Sequence, residues 1–259
     1  QLVQDTTTSL DEYQIDKAAR PIMDFVEELS TWYVRRSRDR FKDEHESKVI
    51  TENLLYILLT VSKLLAPFTP FLSEDVYQSI KGMTSDTLLE SIHLDSWPDM
   101  SDVHIPQYQE VVEKMKHTRH VVELGLAERN KEGLKVRQPL ASVTVAGEVY
   151  DALYVDIIKD ELNVKEVKKG EAQEALHLDT VITEELRLEG VVRDITRDIQ
   201  AERKNLDLVP EDKVEVVVYT DEVGIEGLLE DIKHTVGAVN ISLKKVEAKA
   251  DTKIEVKKV

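Results

Sequence analysis

A change of rhythm near residue 140 limits what this chain can fold into. Before it, apolar residues recur at helical spacing. After it, short alternating runs appear. Ile15, Ala18, Ile22, Phe25, Leu29 and Trp32 follow one another at steps of 3, 4, 3, 4 and 3. That is the pattern of a helix burying one stripe. Ser9 and Glu12 fit a capping box at its start. Pro21 lies inside the pattern, so a kink or a new helix is expected there. Residues 1–9 are polar and Thr-rich and read as an unstructured or truncated start.

A second helix is predicted over 47–65, through Ile50, Leu54, Ile57, Val61 and Leu64. Thr69 and Pro70 are placed to cap and open a third, which stops near Gly82. Residues 82–106 are loop-like, and a fourth helix follows over about 106–131, with Gly133 as its C-terminal cap. Beyond 140, strands are predicted at 142–145, 163–167, 176–182, 214–219, 241–246 and 254–259, the last two joined by a charged turn. Helices are predicted at 149–162, from Thr183 to about 206, and at 222–235. The expected class is mainly α: a helical bundle over 1–140, then a small α+β domain over 141–259. No internal repeat is legible.

Composition narrows function. The chain has 259 residues, 41% hydrophobic, enough for a real core. No apolar run approaches the roughly 18 residues of a membrane helix. Zero cysteines exclude disulfides, thiol catalysis and cysteine zinc sites. The net charge of −17 argues, at face value, against nucleic acid. Two windows run the other way. Residues 35–42 hold Arg35, Arg36, Arg38, Arg40 and Lys42 against Asp39 alone, and residues 113–137 hold seven Lys and Arg against four Glu. Salt screens charges beyond about 8–10 Å, so a local basic patch can still receive phosphate.

At about 100° per residue, Arg36 and Arg40 fall on the continuation of the apolar stripe, with Arg35 and Arg38 beside it. Arg36 and Arg40 are also a like-charged i, i+4 pair. Two readings stand: pairing with acids on neighbouring helices, or an arginine fork gripping phosphate or base edges beside aromatic rings. Trp32, on the stripe, reads as core. In Leu134–Leu140, Lys135 and Arg137 alternate with Leu134 and Val136, so an extended segment would put both cations on one face. Either RNA contact or an ordinary solvated strand fits that pattern. Glu44-His45-Glu46 and His117–His120 lack the three or four convergent donors of a metal site. No Gly-rich phosphate loop and no nucleophile constellation occurs.

Five blocks resemble one family. Leu29–Phe41, with its arginine run, is similar to the anticodon-binding helix of isoleucyl-tRNA synthetases. Ser62–Glu74, with Ala66-Pro67-Phe68-Thr69-Pro70-Phe71, resembles the next block shared by class I synthetases. Glu90–Leu94 with Trp97-Pro98 resembles a third, and Lys135–Leu140 a fourth that is typical of the isoleucyl branch. Leu178–Thr180 with Glu184–Leu186 and Glu189-Gly190 resembles a fifth, in the C-terminal extension. The blocks come in family order over about residues 13–220.

The resemblance implies a C-terminal, tRNA-binding part of a cytoplasmic enzyme that joins isoleucine to its tRNA using ATP and magnesium. It implies no catalytic residue, metal or cofactor in this chain. H-I-G-H and K-M-S-K-S, the ATP signatures, are absent, and so is the editing domain. With no cysteine, the chain resembles the eukaryote-like branch, which lacks the terminal zinc module. Carried over, Arg35, Arg36, Arg38 and Arg40 are expected near the anticodon stem-loop. Lys135 and Arg137 are expected to support the junction to the C-terminal domain or to touch the stem. The implied partners are isoleucine tRNA and the missing catalytic domain, with no membrane. A valyl, leucyl or methionyl counterpart, or an acidic interaction domain with structural arginines, are the alternatives. Residues 221–259 match no block.

Overall fold

The computed structural model describes residues 1–84, 88–99, 107–146, 151–170, 175–209, 211–246 and 252–259. The parts of the expected 82–106 loop and 149–162 helix at 85–87, 100–106 and 149–150 lie outside the described residues, as does the charged turn at 247–251. The fold is mainly α with a small α+β part, as expected. It divides into two compact units, Gln1–Ile105 and Pro106–Val259.

The first unit is helical. It holds α1 (Leu2–Asp11), α2 (Ile15–Glu28), α3 (Ser47–Leu65) and α4 (Pro70–Lys81). The Thr-rich start is α1, not an unstructured tail. Val3 and Thr6 are buried on its inner face, and Val3 packs with Ile22, Val61 and Leu64. Threonine, short and half apolar, takes core positions here. Thr7 also accepts a hydrogen bond from Trp97 Nε1 at 2.8 Å. The capping box does not form: Ser9 lies within α1, and its carbonyl accepts the Gln14 N–H at 2.8 Å. Tyr13, at φ 57°, turns the chain between the two helices. α2 runs on through Pro21 without a break. α3 keeps its expected bounds. α4 opens at Pro70 as expected, although the Thr69 side chain makes no capping bond.

Glu74 ties α4 to the segment after it. Its carboxylate accepts from Gln78 Nε2 at 2.7 Å, Ser91 Oγ at 2.8 Å and the Ile92 N–H at 3.0 Å. The Gln78 and Ser91 bonds, then that of Ile92, hold its pKa below the ordinary 4.5. A carboxylate with a depressed folded pKa stabilises fully above its unfolded value and loses that contribution as pH falls through the folded one. The stability difference between the wild type and Glu74→Gln is therefore expected at neutral pH. It should shrink below pH 4.5, as read by urea unfolding across pH.

The second unit holds α5 (Gln107–Lys131), β1 (Leu140–Ala146), α6 (Ala152–Leu162), β2 (Val164–Gly170) and β3 (Leu176–Leu178). It continues with α7 (Glu184–Asn205), β4 (Val214–Thr220), α8 (Leu229–Val236), β5 (Ala238–Lys245) and β6 (Lys253–Lys258). The sequence rhythm changes at 140, but α5 packs against α6 and β3 of the first sheet. A Cβ on Gly125 would stand 2.5 Å from Leu162 Cδ1, so the buried Leu162 side chain would have to shift to admit one.

The unit is an internal repeat. Helix, strand, helix, strand, strand occurs twice. β1 pairs parallel with β2 and antiparallel with β3, and β4 pairs parallel with β5 and antiparallel with β6. The sheet orders are β2-β1-β3 and β5-β4-β6. The two last strands thus flank β4 and do not pair with each other. The sequence hides this duplication because little beyond Ala127-Glu128-Arg129 and Ala201-Glu202-Arg203 is shared.

Those two arginines do the same thing in each copy. Arg129, fully buried, donates to the carbonyls of Lys135 at 3.0 Å, Gln138 at 3.0 Å and Asn163 at 3.1 Å. Arg203 donates to Val209 at 2.8 Å, Asp212 at 3.2 Å and Val236 at 3.1 Å. In both copies the first two acceptors lie 6 and 9 residues ahead, and the third closes the following helix. Four residues after each arginine the backbone turns left-handed, at Gly133 (φ 68°) and Asp207 (φ 52°). Burial lowers the Arg129 pKa to about 10, which still leaves it charged at neutral pH. Each guanidinium therefore ties the end of its own helix to the turn that follows and to the end of the next helix.

Among the described residues no helix is long and apolar enough to cross a membrane.

Candidate nucleic-acid interface

The arginine run sits at a change of helix type. α2 passes at Leu29–Val34 into a π-helical turn. A π turn closes its hydrogen bonds over five residues, which rotates everything after it relative to an α-helix. The angular extrapolation along the stripe fails for this reason. Ser37, at 4% exposure, takes the inward position. Arg36 is half-buried, and Arg35, Arg38 and Arg40 are exposed. Arg40 has left the helix and opens a 3-10 turn, Arg40–Lys42. Trp32 is half-buried rather than core.

The aromatic partner is in place. The Arg35 guanidinium lies 5.8 Å from the centre of the Trp32 ring, and its Nε donates to the Thr31 carbonyl at 2.7 Å. Arg40 Nε meets Glu46 at 2.6 Å, an exposed pair at the start of α3. Lys42, by hydrogen bond and charge, and Arg38, by charge, hold Asp39 below the usual carboxylate range. The run 35–42 so presents several cations on one short, exposed helix end beside an indole ring. π turns recur at functional sites in helices.

The second basic window is different. Lys135–Gln138 is a turn, closed by the Gln138 N–H on the Lys135 carbonyl at 3.0 Å, and not an extended strand. The Arg129 guanidinium draws both ends of this turn inward. Arg137 Nε hydrogen-bonds Asp194 on α7, and Lys135 Nζ stands 4.0 Å from the same carboxylate. Gln138 Nε2 donates to the Leu186 carbonyl at 2.7 Å. Gly190 leaves room for that amide, since a Cβ there would stand 2.5 Å from Gln138 Oε1. Lys165 meets Glu189 at 2.6 Å. These bonds fasten the second copy of the repeat onto the first. Earlier in the window, Lys114 pairs with Glu110 at 2.7 Å and Lys116 with Glu113 at 3.2 Å. Asp194 was not visible as a partner in the sequence, because 57 residues separate it from Arg137.

The helical unit thus carries exposed cations beside an aromatic ring. Among the described residues no group of three acidic or histidine side chains could hold a metal ion. Residues 1–145 match the family described as the anticodon-binding domain of tRNA ligase, and the chain belongs to that family. An isoleucine–tRNA ligase of Clostridium acetobutylicum is 42% identical over 172 residues, covering 65% of this chain and 16% of that protein. One from Clostridium tetani is 41% identical over the same length, with the same coverage. One from Bacillus thuringiensis is 31% identical over 303 residues, covering 83% of this chain and 28% of the relative. The chain thus spans under a third of the length of these curated relatives.

Proposed function

We propose that this chain is the anticodon-binding part of an isoleucine–tRNA ligase and binds the anticodon arm of isoleucine tRNA. The observation that carries the reading is the exposed arginine run beside Trp32, at the end of a helix in a chain of this family. Arg35, Arg36, Arg38 and Arg40 contact the RNA. Phosphate contacts supply affinity, and unstacked anticodon bases supply specificity. Lys135 and Arg137 act indirectly, by holding α7 through Asp194. The names of the relatives favour isoleucine over the valyl, leucyl and methionyl alternatives.

The parent enzyme joins isoleucine to tRNA in the cytoplasm, with ATP and magnesium bound by its catalytic part. No residue of this chain is assigned to either group. These residues bind and orient the tRNA while its acceptor end reacts elsewhere.

A competition experiment tests the reading. An isolated anticodon stem-loop should displace labelled isoleucine tRNA from the chain, and an acceptor-stem minihelix should not. Displacement by the minihelix alone would reverse the assignment.

A further inference from the structure

Residues 238–259 hold six lysines against three acids, within a chain of net charge −17. The structure gives this third basic stretch a location. β5 and β6 lie on either side of β4. One face of the sheet, carrying Val214, Val216 and Val218, is buried with Ile195, Ile199 and Ile232 of α7 and α8. The other face carries Tyr219 in the middle of a cross-strand row, paired with Lys244 on β5 and Lys253 on β6. Both ammonium groups stand by the ring, at 5.3 and 5.7 Å from its centre. Ser242, Lys244, Lys253, Glu255 and Lys257 are exposed.

We propose that this open face takes a single-stranded stretch of RNA, with a base stacked on Tyr219 and the flanking phosphates on Lys244 and Lys253. The inference rests on the tRNA-binding reading for its choice of partner, but uses different residues in a different unit. A central aromatic ring on a sheet, flanked by cations, is the arrangement by which sheets hold unpaired bases. Lysine stems are flexible, so each ammonium can swing to a phosphate and uncover the ring. Glu255 lies on the same face, accepting from the Tyr219 hydroxyl at 3.0 Å and pairing with Lys253 at 2.9 Å. It fixes the ring and discourages purely ionic ligands.

The test uses the full chain and two labelled RNAs, a mixed-sequence single-stranded 12-mer and isoleucine tRNA. Lys244→Gln with Lys253→Gln should weaken 12-mer binding about tenfold or more and reduce the salt slope by about 1.4. Tyr219→Ala should weaken it about fivefold to a hundredfold. Tyr219→Phe should stay within about twofold of wild type, since the stacking face survives. Unfolding curves of the same variants identify any loss that is merely structural; Tyr219→Phe and the lysine pair leave the buried face untouched. Absence of 12-mer binding by the wild type, or binding indifferent to Lys244 and Lys253, overturns the proposal. So does equal competition by a polyglutamate peptide, which would mean that the face reads charge and not RNA. A wild-type chain that binds isoleucine tRNA but not the 12-mer refutes this face alone. A wild-type chain that binds the 12-mer through Lys244 and Lys253 but not isoleucine tRNA refutes the anticodon-arm reading instead.

Discussion

Arg129→Met should cost the Pro106–Val259 unit about 3 kcal/mol. Hydrogen bonds from a charged donor contribute about 1.5–3 kcal/mol each, offset here by the burden of burying the guanidinium. Three carbonyls from two segments converge on that one group: Lys135 and Gln138 of the turn after α5, and Asn163 at the end of α6. Methionine fills much of the space and serves none of them. Arg129→Lys should fare little better. It keeps the charge but lacks the planar fork that reaches three acceptors. Arg203→Met should behave alike in the second copy, where Val209, Asp212 and Val236 are the acceptors. Urea unfolding gives the size, and amide exchange gives the place. The Leu134 and Leu208 N–H groups, bonded to the Arg129 and Arg203 carbonyls at 2.8 and 3.0 Å, should lose protection first. A shift under about 0.5 kcal/mol, the range of ordinary surface changes, would mean that neither arginine organises its copy.

Arg36→Ala with Arg40→Ala should raise the dissociation constant for isoleucine tRNA about tenfold or more at low salt. Removing two phosphate contacts should also lower the slope of log affinity against log salt by about 1.4–1.8. Little stability should be lost. Arg40 meets Glu46 in an exposed pair, worth at most about 1 kcal/mol. Arg36 is half-buried, so the variant must be checked by unfolding. Severe unfolding with unchanged RNA affinity would make the arginines structural.

Much of the fold was legible because it follows from local rules. The apolar period of α3 and the Thr69-Pro70 start of α4 set their bounds. Thr183 caps α7 through its Oγ, which accepts the Leu186 N–H at 3.3 Å. What was hidden depends on contacts that the local sequence does not record. α1 escapes local patterning because Thr6 takes a core position that polarity scales deny it. The phase of the arginines departs from the helical extrapolation because a π turn intervenes at Leu29–Val34, and nothing in the residue types announces one. The Lys135–Arg137 segment reads as a strand until a buried guanidinium from α5 pulls it into a turn. The duplication shows in topology and in hydrogen bonds, but hardly in identity. The arginine run and its aromatic neighbour were visible; Tyr219 was not, because its lysines come from two other strands.

Equilibrium binding of the chain to isoleucine tRNA, and to other tRNAs, over a salt series reads whether the proposed basic surfaces receive RNA on an acidic chain. Binding to isoleucine tRNA should be the tighter, with an affinity that falls linearly in log–log form as salt rises. Binding that does not discriminate among tRNAs, or that salt leaves unchanged, would contradict the tRNA-binding reading.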